Sequence, residues 1–471
     1  MLNEQRFASR VVPLFSGSNK RLQSERVVNG QANNSVDSSN TDGAENVTED
    51  LTEGLTESDN ATNISPLQGY LIVLSGFIAN FIIFGIAFTF GVFQDYYLSP
   101  SGPLYGKPVS AVTAIGSLAT GTTYLFTIAN RLITRYMSIK NSMILGSFVM
   151  SLGLICASFA QQTWQFLLSQ GVMFGVGGSM IYLSPVTHAP PYFSAHRGIA
   201  MGLLFSGTGF GGLALAPLTR YLISKVGWQW ALRIFGFVSL ICITPTSFLV
   251  RPHPTSLASQ LSRLPKEGNV SLKFATSKIF ILHMFGAGLQ SGGYLIPGFF
   301  MSTYSKSLGF TTSQGTMFIG VNNAVNACSK VAVGYFADKV GRLNMLVVCS
   351  FFSTVTVLAL WLVPTRGTFI SFVILYGVAS GPMISLIPTC MVELFGVQNY
   401  QASSGFLYFS RGVGTFLGSP IAGTLIKGNP NSCGSYRNAI CYNGIMFFAD
   451  FICLTYIRLL EASKHKWKLK Q

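Results

Sequence analysis

Apolar residues dominate twelve stretches of the chain, and short polar segments separate one stretch from the next. A helix that crosses a bilayer needs about 20 mainly apolar residues, and each stretch has about that length. The pattern therefore predicts an all-α polytopic membrane protein with twelve transmembrane helices. The predicted spans are 69–93, 108–130, 140–160, 163–187, 198–222, 227–250, 278–301, 312–337, 344–363, 368–392, 401–426 and 440–460.

The longest polar segments divide this pattern into five parts. The N-terminal segment is rich in Asn, Ser, Thr, Asp and Glu, a composition typical of disorder. A second polar stretch separates six spans from six, as a linker between two bundles would. We predict a disordered cytosolic tail at 1–65, an N-terminal six-helix bundle at 66–250, a cytosolic linker at 251–277, a C-terminal six-helix bundle at 278–460 and a basic cytosolic tail at 461–471.

Composition and charge agree with this interpretation. Only 10% of the 471 residues are charged, against about 25% in soluble domains. The net charge is +15, but the bases lie between apolar runs, which favours contact with lipid headgroups over nucleic acid. With the N-terminus inside, the inner loops and C-terminal tail hold sixteen Lys and Arg and the outer loops hold seven, so we expect both termini in the cytosol.

The polar stretch "GYFADKVGR", residues 334–342, joins spans eight and nine on the predicted cytosolic side. It resembles the G-x-x-x-D-[RK]-x-G-R signature of the major facilitator superfamily. Gly334 would allow close helix approach, Asp338 would cap a helix end or pair with a base, Gly341 would permit a tight turn, and Arg342 would bind carbonyls or a carboxylate. We predict a conformational latch here; the alternative is a capped loop that only fixes topology.

The corresponding loop of the first half, "ANRLITRYMSIK", keeps Arg131 and Arg135 but lacks the Asp and the Gly. A second stretch, "YFSAHRGIAMGLLFSGTGFGG" at 192–212, resembles the start of span five in monocarboxylate-permease-like transporters, particularly the fungal branch. "GWQWALRIFGF" and "FLGSPIAGTL" fit that branch too. The resemblance implies two bundles that rock about a central cavity. We add Arg197, the basic residue of this stretch, to the predicted latch.

The chain departs from that family at several positions. The start of span one, "PLQGYLIV", keeps Gly69 and Tyr70 but lacks the acidic residue that family members usually carry. In span eight, Asn326 and Lys330 stand where the family often has an Asp and an Arg. These departures from the family disfavour simple lactate–proton symport and favour a larger or neutral substrate.

Three ionisable residues lie inside predicted spans at a similar depth: Lys330, Arg411 and Asp450. Charges in the apolar interior are costly, so each is a candidate for function. Two cations and one carboxylate leave an excess positive charge, which suits an anionic substrate. The alternative is that Asp450 forms a structural pair with Arg411 or Lys330; if it does not, it is a candidate proton carrier.

Polar and aromatic residues near these charges complete the predicted substrate site. Asn322, Asn326 and Lys330 follow one another at intervals of four, on one face of span eight. A glycine- and proline-broken segment of span seven and the Gly-rich span four add further hydrogen-bonding groups. These additional candidates are Gln290, Tyr294 and Tyr182. Phe84 and Phe88 could stack on a planar substrate, although ordinary packing explains them as well.

Other residues carry weaker predictions. We expect His283, Asp95 and Glu393 at the ends of spans, in interfacial or solvated positions. Cys433 and Cys441 flank an outer loop, and the sequence leaves open whether they form a disulfide. No spacing of Cys and His suggests a metal site, and no catalytic cluster or cofactor motif is recognisable, so we expect neither a cofactor nor enzymatic activity.

The sequence thus predicts a secondary transporter in a multi-pass membrane location. Its substrate would be a small, monocarboxylate-like organic anion or a planar metabolite, moved by alternating access. Symport is the candidate mode, and the sequence leaves proton coupling and direction open. A riboflavin-type vitamin transporter of the same family and a non-transporting membrane sensor are the alternatives. We expect the protein in the plasma membrane, with the vacuolar and endoplasmic reticulum membranes as alternatives. Its partners would be a small-molecule substrate and the lipid bilayer, not nucleic acid. The sequence leaves the oligomeric state open.

Overall fold

The computed structural model describes residues 66–193, 196–251, 277–426 and 432–464, and within these ranges the regular structure is helical. The prediction of an all-α polytopic chain is confirmed. The predicted tail at 1–65 and almost all of the predicted linker at 251–277 lie outside the described residues. The predicted C-terminal tail lies outside them beyond residue 464.

The described residues form twelve long helical segments in the order that the apolar runs predict. Several of them continue past the apolar run, because a helix can extend beyond the hydrocarbon core while its backbone stays hydrogen-bonded. The segments are α1 (Pro66–Phe88, continued by Phe90–Tyr97), α2 (Val109–Leu125, continued by Thr127–Tyr136), α3 (Ile139–Ala157), α4 (Thr163–Phe166, Leu167–Met173 and Phe174–His188), α5 and α6 (the two parts of Arg197–Thr246), α7 (Lys278–Ser307), α8 (Thr312–Val340), α9 (Arg342–Val355 and Thr356–Trp361), α10 (Arg366–Phe395), α11 (Val397–Leu425) and α12 (Arg437–Lys464).

Glycine separates α5 from α6. Gly227 has φ +85°, a conformation that side chains with a Cβ rarely adopt, and it breaks the 50-residue run into residues 197–226 and 228–246. Among the described residues, nine helices are long and apolar enough to cross a membrane when this run is counted once. The helices α8 and α11 are not among the nine, and these two carry Lys330 and Arg411.

Small residues bring helices together in both halves of the chain. In the first half, a Cβ at Gly85 of α1 would lie 2.9 Å from the backbone of Gly211 in α5. In the second half, a Cβ at Gly292 of α7 would lie 3.1 Å from the carbonyl oxygen of Gly414 in α11. Close backbone approach at small residues is how helices associate in lipid, where burial of apolar surface gives no drive.

Two interfaces join the first six helices to the last six. Helix α5 packs along α8, and helix α2 packs along α11. A Cβ at Gly198 of α5 would lie 2.6 Å from the carbonyl oxygen of Gly334 in α8, and one at Gly121 of α2 would lie 3.2 Å from Cβ of Phe416 in α11. The predicted intramembrane cations lie on these two interfaces, one on each.

Candidate functional site

Lys330 is completely buried on the face of α8 that meets α5. Its ammonium group donates a hydrogen bond to the hydroxyl of Thr208, which is also buried. An unpaired ammonium in the apolar interior is costly, and a single hydroxyl compensates it only in part. The contact joins the two halves of the molecule, so it must change if the two halves move apart.

Arg411 occupies the equivalent place on the other interface. It is 1% exposed, and its guanidinium carbon lies 5.0 Å from the centre of the Tyr124 ring on α2, in cation–π geometry. Its Nε and Nη1 atoms are buried without a hydrogen-bond partner. A guanidinium carries five N–H donors in a fixed fork that suits a carboxylate, and the three on these two atoms are unpaired here.

Aromatic rings from both halves surround this cation. The ring of Tyr124 stacks on that of Tyr408 at 5.8 Å and 20° between planes, and Tyr182 meets Tyr408 edge-on at 5.4 Å. Phe84 of α1 contacts the ring of Tyr182 at 5.3 Å. We call these four rings with Arg411 and Lys330 the central cluster. The cation therefore lies beside aromatic rings contributed by both halves of the chain.

The sequence did not indicate Tyr124, Tyr408 or Thr208 as site residues. One signal for Tyr408 was present: it precedes Arg411 by three residues and therefore shares its helix face. Nothing in the local sequence of Tyr124 or Thr208 distinguishes them from ordinary packing residues.

The predicted amides of α7 and α8 have different surroundings. Asn326 donates to the hydroxyl of Tyr294 at 3.0 Å, which links α8 to α7. Asn322 donates to the backbone oxygen of Val373 at 2.7 Å, which ties it to α10. Gln290 is completely buried, and both of its side-chain polar atoms are without a hydrogen-bond partner. Because such groups are normally satisfied, Gln290 is the amide best placed to gain a partner when a ligand or water enters.

Asp450 of α12 is buried with the hydroxyl of Ser350, which donates to its carboxylate at 2.6 Å. Among the described residues it forms an ion pair with neither Arg411 nor Lys330. The carboxylate therefore has a hydroxyl, not either cation, as its hydrogen-bond partner.

The predicted latch residues come together at one end of the α5–α8 interface. The two oxygens of Asp338 accept hydrogen bonds from the backbone N–H groups of Gly198 and Ile199, at 2.9 and 3.0 Å. The guanidinium of Arg342 donates to the same carboxylate from Nε and Nη2, at 3.0 and 2.8 Å. Asp338 therefore does both things expected of it: it caps the N-terminus of α5 and pairs with a base.

The remaining latch residues shape this contact. Gly341, with φ +108°, ends α8 and starts α9, and this turn brings Arg342 back toward Asp338. Arg197 donates to the backbone oxygen of Pro190 at 3.2 Å. The side chains of Arg131 and Arg135, in the corresponding first-half loop, lie outside the described residues. At the predicted latch, α5 and α8 are therefore in direct contact.

The opposite end contains a cavity of about 780 Å³, which we call the vestibule. Its lining includes Asp95 of α1 and Lys306 of α7, which form an ion pair at 2.5 Å across the two halves. Beneath it, Phe90 and Phe299 meet at 5.6 Å between ring centres. Deeper in the molecule, among α1, α7, α8 and α10, lies a cavity of about 30 Å³ that is lined by Phe88, Tyr294 and neighbouring residues. It has room for one water molecule.

Two expectations about the span ends are corrected, and one question that the sequence left open is answered. His283 is 1% exposed, not interfacial, because α7 places it against α10. Asp95 is not simply solvated, because it pairs with Lys306. Cys433 and Cys441 are free thiols, and the sulfur of Cys433 lies 3.2 Å from the hydroxyl of Ser307.

Comparisons with known proteins agree with this architecture. A model of the Major Facilitator Superfamily matches residues 70–419, about three quarters of the chain. An MFS-type transporter of Gibberella moniliformis is 29% identical over 388 residues, which cover 80% of this chain and 89% of the relative. The agnestins efflux protein AgnL12 of Paecilomyces divaricatus is 26% identical over 374 residues, covering 78% and 82% of the two chains.

A solved structure shows the same fold. The crystal structure of the human organic anion transporter MFSD10 aligns with a TM-score of 0.57 at 12% identity, over 83% of this chain and 98% of that one. The helix order, the latch sequence and the family match lead to one conclusion. The chain belongs to the Major Facilitator Superfamily and is a multi-pass membrane transporter.

Proposed function

We propose that the protein moves an organic anion with a planar ring system across the membrane by alternating access, and that the central cluster binds it. The observation that carries this proposal is the position of the two buried cations. Lys330 and Arg411 reach from the second half to Thr208 and Tyr124 of the first half. An anion placed between them would contact both halves at once, which is what a transported substrate must do.

The geometry supports a mechanism with two gates, one at each end of the central cluster. The latch closes one end while the vestibule opens at the other, so a substrate would enter from the vestibule or leave through it. Separation of Phe90 from Phe299 would join the vestibule to the central cluster, and separation of Asp338 from the N-terminus of α5 would open the opposite end. Two gates that open in turn are sufficient for transport without a cofactor.

Within the superfamily, the sequence features quoted above favour the monocarboxylate-permease-like branch. The ring-lined site favours a substrate with an aromatic or heterocyclic group over a small aliphatic acid such as lactate. The Paecilomyces relative is named as an efflux protein, which supports export as the direction. A riboflavin-type substrate is the second candidate, because tyrosine rings such as those of Tyr124 and Tyr408 stack on flat ring systems.

The test is flux in reconstituted vesicles with radiolabelled benzoate, lactate and riboflavin. We expect benzoate flux, and we expect Lys330→Ala to reduce it at least tenfold, because one hydrogen bond to a charged group contributes about 1.5–3 kcal/mol. Lys278→Ala, at the exposed start of α7, is the matched control and should change nothing.

Each outcome has a clear meaning. Undiminished benzoate flux in Lys330→Ala at equal protein yield would remove Lys330 from the site. Flux of riboflavin alone would establish the vitamin as the better substrate class. The absence of flux for all three compounds, together with saturable binding of one of them, would favour a non-transporting sensor of the same fold.

A further inference from the structure

Helices α5 and α8 diverge as they run from the latch to the vestibule. Near the latch they touch: a Cβ at Gly198 would lie 2.6 Å from the oxygen of Gly334, and one at Gly202 would lie 2.5 Å from the oxygen of Lys330. The contact continues to Gly209, where a Cβ would lie 2.4 Å from the oxygen of Asn323. Beyond it, a Cβ at Gly320 would meet only Leu213, at 3.7 Å. The close backbone contact is therefore lost in the part of the interface beside the vestibule.

A groove of about 510 Å³ occupies the widened part of this interface. Its outer rim is formed by side chains that are 59% exposed at Tyr221 and 63% exposed at Met317. Large exposed apolar side chains on a transmembrane helix face acyl chains, so the groove opens toward lipid. Pro217 lies in its wall, where the missing N–H leaves the backbone of α5 one hydrogen bond short.

Arg220 separates this groove from the vestibule. Its Nη1 donates to the backbone oxygen of Thr312 at 3.0 Å and to the hydroxyl of Thr316 at 2.9 Å, so it bridges α5 and α8. Arg220 and Ser224 line both cavities. The two partners of the guanidinium carry no charge, and each of these bonds can be exchanged for a carboxylate oxygen at little cost.

The depth of Arg220 suits a lipid-soluble ligand. It lies 23 residues beyond Arg197, about 34 Å along the helix at 1.5 Å per residue. The hydrocarbon core is about 30 Å thick, so Arg220 reaches the headgroup level of the leaflet at the vestibule end. The groove beside it reaches the acyl chains of that leaflet.

We propose that this groove is a lateral portal for an amphipathic organic anion, with Arg220 as its binding residue and gate. The anionic head would exchange for the hydroxyl and carbonyl partners of Arg220, and the apolar part would lie against Leu213, Pro217 and Met317. Passage into the vestibule rests on the proposed transport function; binding in the groove does not.

The charge of the vestibule supports this occupant. Its lining carries Asp95, Lys107, Arg220 and Lys306, and the ion pair of Asp95 with Lys306 leaves Lys107 and Arg220 as a cationic surplus. An anion that leaves Arg220 therefore moves toward a second positive charge. A neutral lipid would gain nothing from this arrangement.

The experiment uses dodecanoic acid with a diazirine near its methyl end, irradiated in phosphatidylcholine vesicles that contain the full chain. Labelled peptides are identified by mass spectrometry. We expect label in 213–224 and 313–321 at least fivefold above the lipid-facing surface around Ile241, which is 71% exposed on α6. Arg220→Gln should lower labelling of the groove to the level of that surface, a loss of about fivefold or more, and Arg220→Lys, which keeps the charge, should retain most of it.

Two controls separate charge from packing. Arg366→Gln removes another arginine from the same end, one that also donates to backbone oxygens, and should leave the labelling unchanged. The methyl ester of the probe should label wild type and Arg220→Gln equally. Three results would overturn the portal. They are even labelling of all lipid-facing helices, unchanged acid labelling in Arg220→Gln, and a loss of ester labelling in Arg220→Gln equal to the loss of acid labelling. None of these results involves flux, so they test the groove independently of the proposed transport function, which the flux assay tests.

Discussion

The contact of Asp338 with α5 gives the sharpest prediction, because it holds together helices from the two halves. We predict that Asp338→Asn opens the latch end. Its side chain is 7% exposed, and both of its oxygens bind backbone N–H groups of α5 at 2.9 and 3.0 Å. The pairing with Arg342 lies within the second half, so it persists when the halves separate and does not favour the closed state.

The magnitude follows from the two bonds that break on opening. Hydrogen bonds to a charged group contribute at least about 1.5 kcal/mol each, so the pair contributes about 3 kcal/mol to closure. Asparagine has the same shape and one neutral acceptor, which retains about 1 kcal/mol. The loss of about 2 kcal/mol should raise the ratio of open to closed molecules about thirtyfold.

The assay is the reactivity of a single cysteine. Ala337 is 1% exposed and lies between Gly334 and Asp338, the two residues of α8 that contact the start of α5. Ala337→Cys is introduced after the eight native cysteines are replaced by serine. A membrane-impermeant maleimide is added from the latch side. The labelling rate is proportional to the open population when opening is fast and rare, so Asp338→Asn should raise it about thirtyfold.

The matched control is Asp95→Asn at the opposite end. It removes the ion pair with Lys306 in the vestibule, and this should leave labelling of Ala337→Cys unchanged or lower it. A change of less than twofold in Asp338→Asn would refute the reasoning. An equal increase in both variants would show general loosening rather than release of a latch.

Two further predictions concern the same assay and the flux assay. Gly198→Ala should also raise labelling at least tenfold, because its Cβ would lie 2.6 Å from the backbone oxygen of Gly334. Gly367→Ala is the control, since Gly367 has open space around it, and it should have no effect. Equal labelling rates in the two variants would show that the helices adjust to the added methyl group. Asp450→Asn should keep the protein yield, since asparagine still accepts from Ser350, and should abolish any response of flux to a pH gradient because it cannot exchange a proton. A retained response would exclude Asp450 from coupling.

The sequence by itself determined the number and order of the helices. In lipid every backbone group must be bonded within its own segment, so the length of each apolar run sets a helix directly. The sequence also indicated a turn with a helix cap at residues 338–342. Gly341 can adopt the positive φ that a tight turn requires, and Asp338 can cap a helix N-terminus or pair with Arg342. The cost of buried charge made Lys330 and Arg411 candidates from position alone.

Only the tertiary structure decided which helix each of these residues meets. The lipid-facing and buried faces of a transmembrane helix are both apolar, so the periodicity that orients a helix in a soluble protein is weak here. The rotation of each helix is set by the close packing of small residues, such as Gly198 against Gly334, and that packing depends on residues distant in sequence. This is why the partners of Lys330, Arg411 and Asp450, and the bridge made by Arg220, appear only in three dimensions.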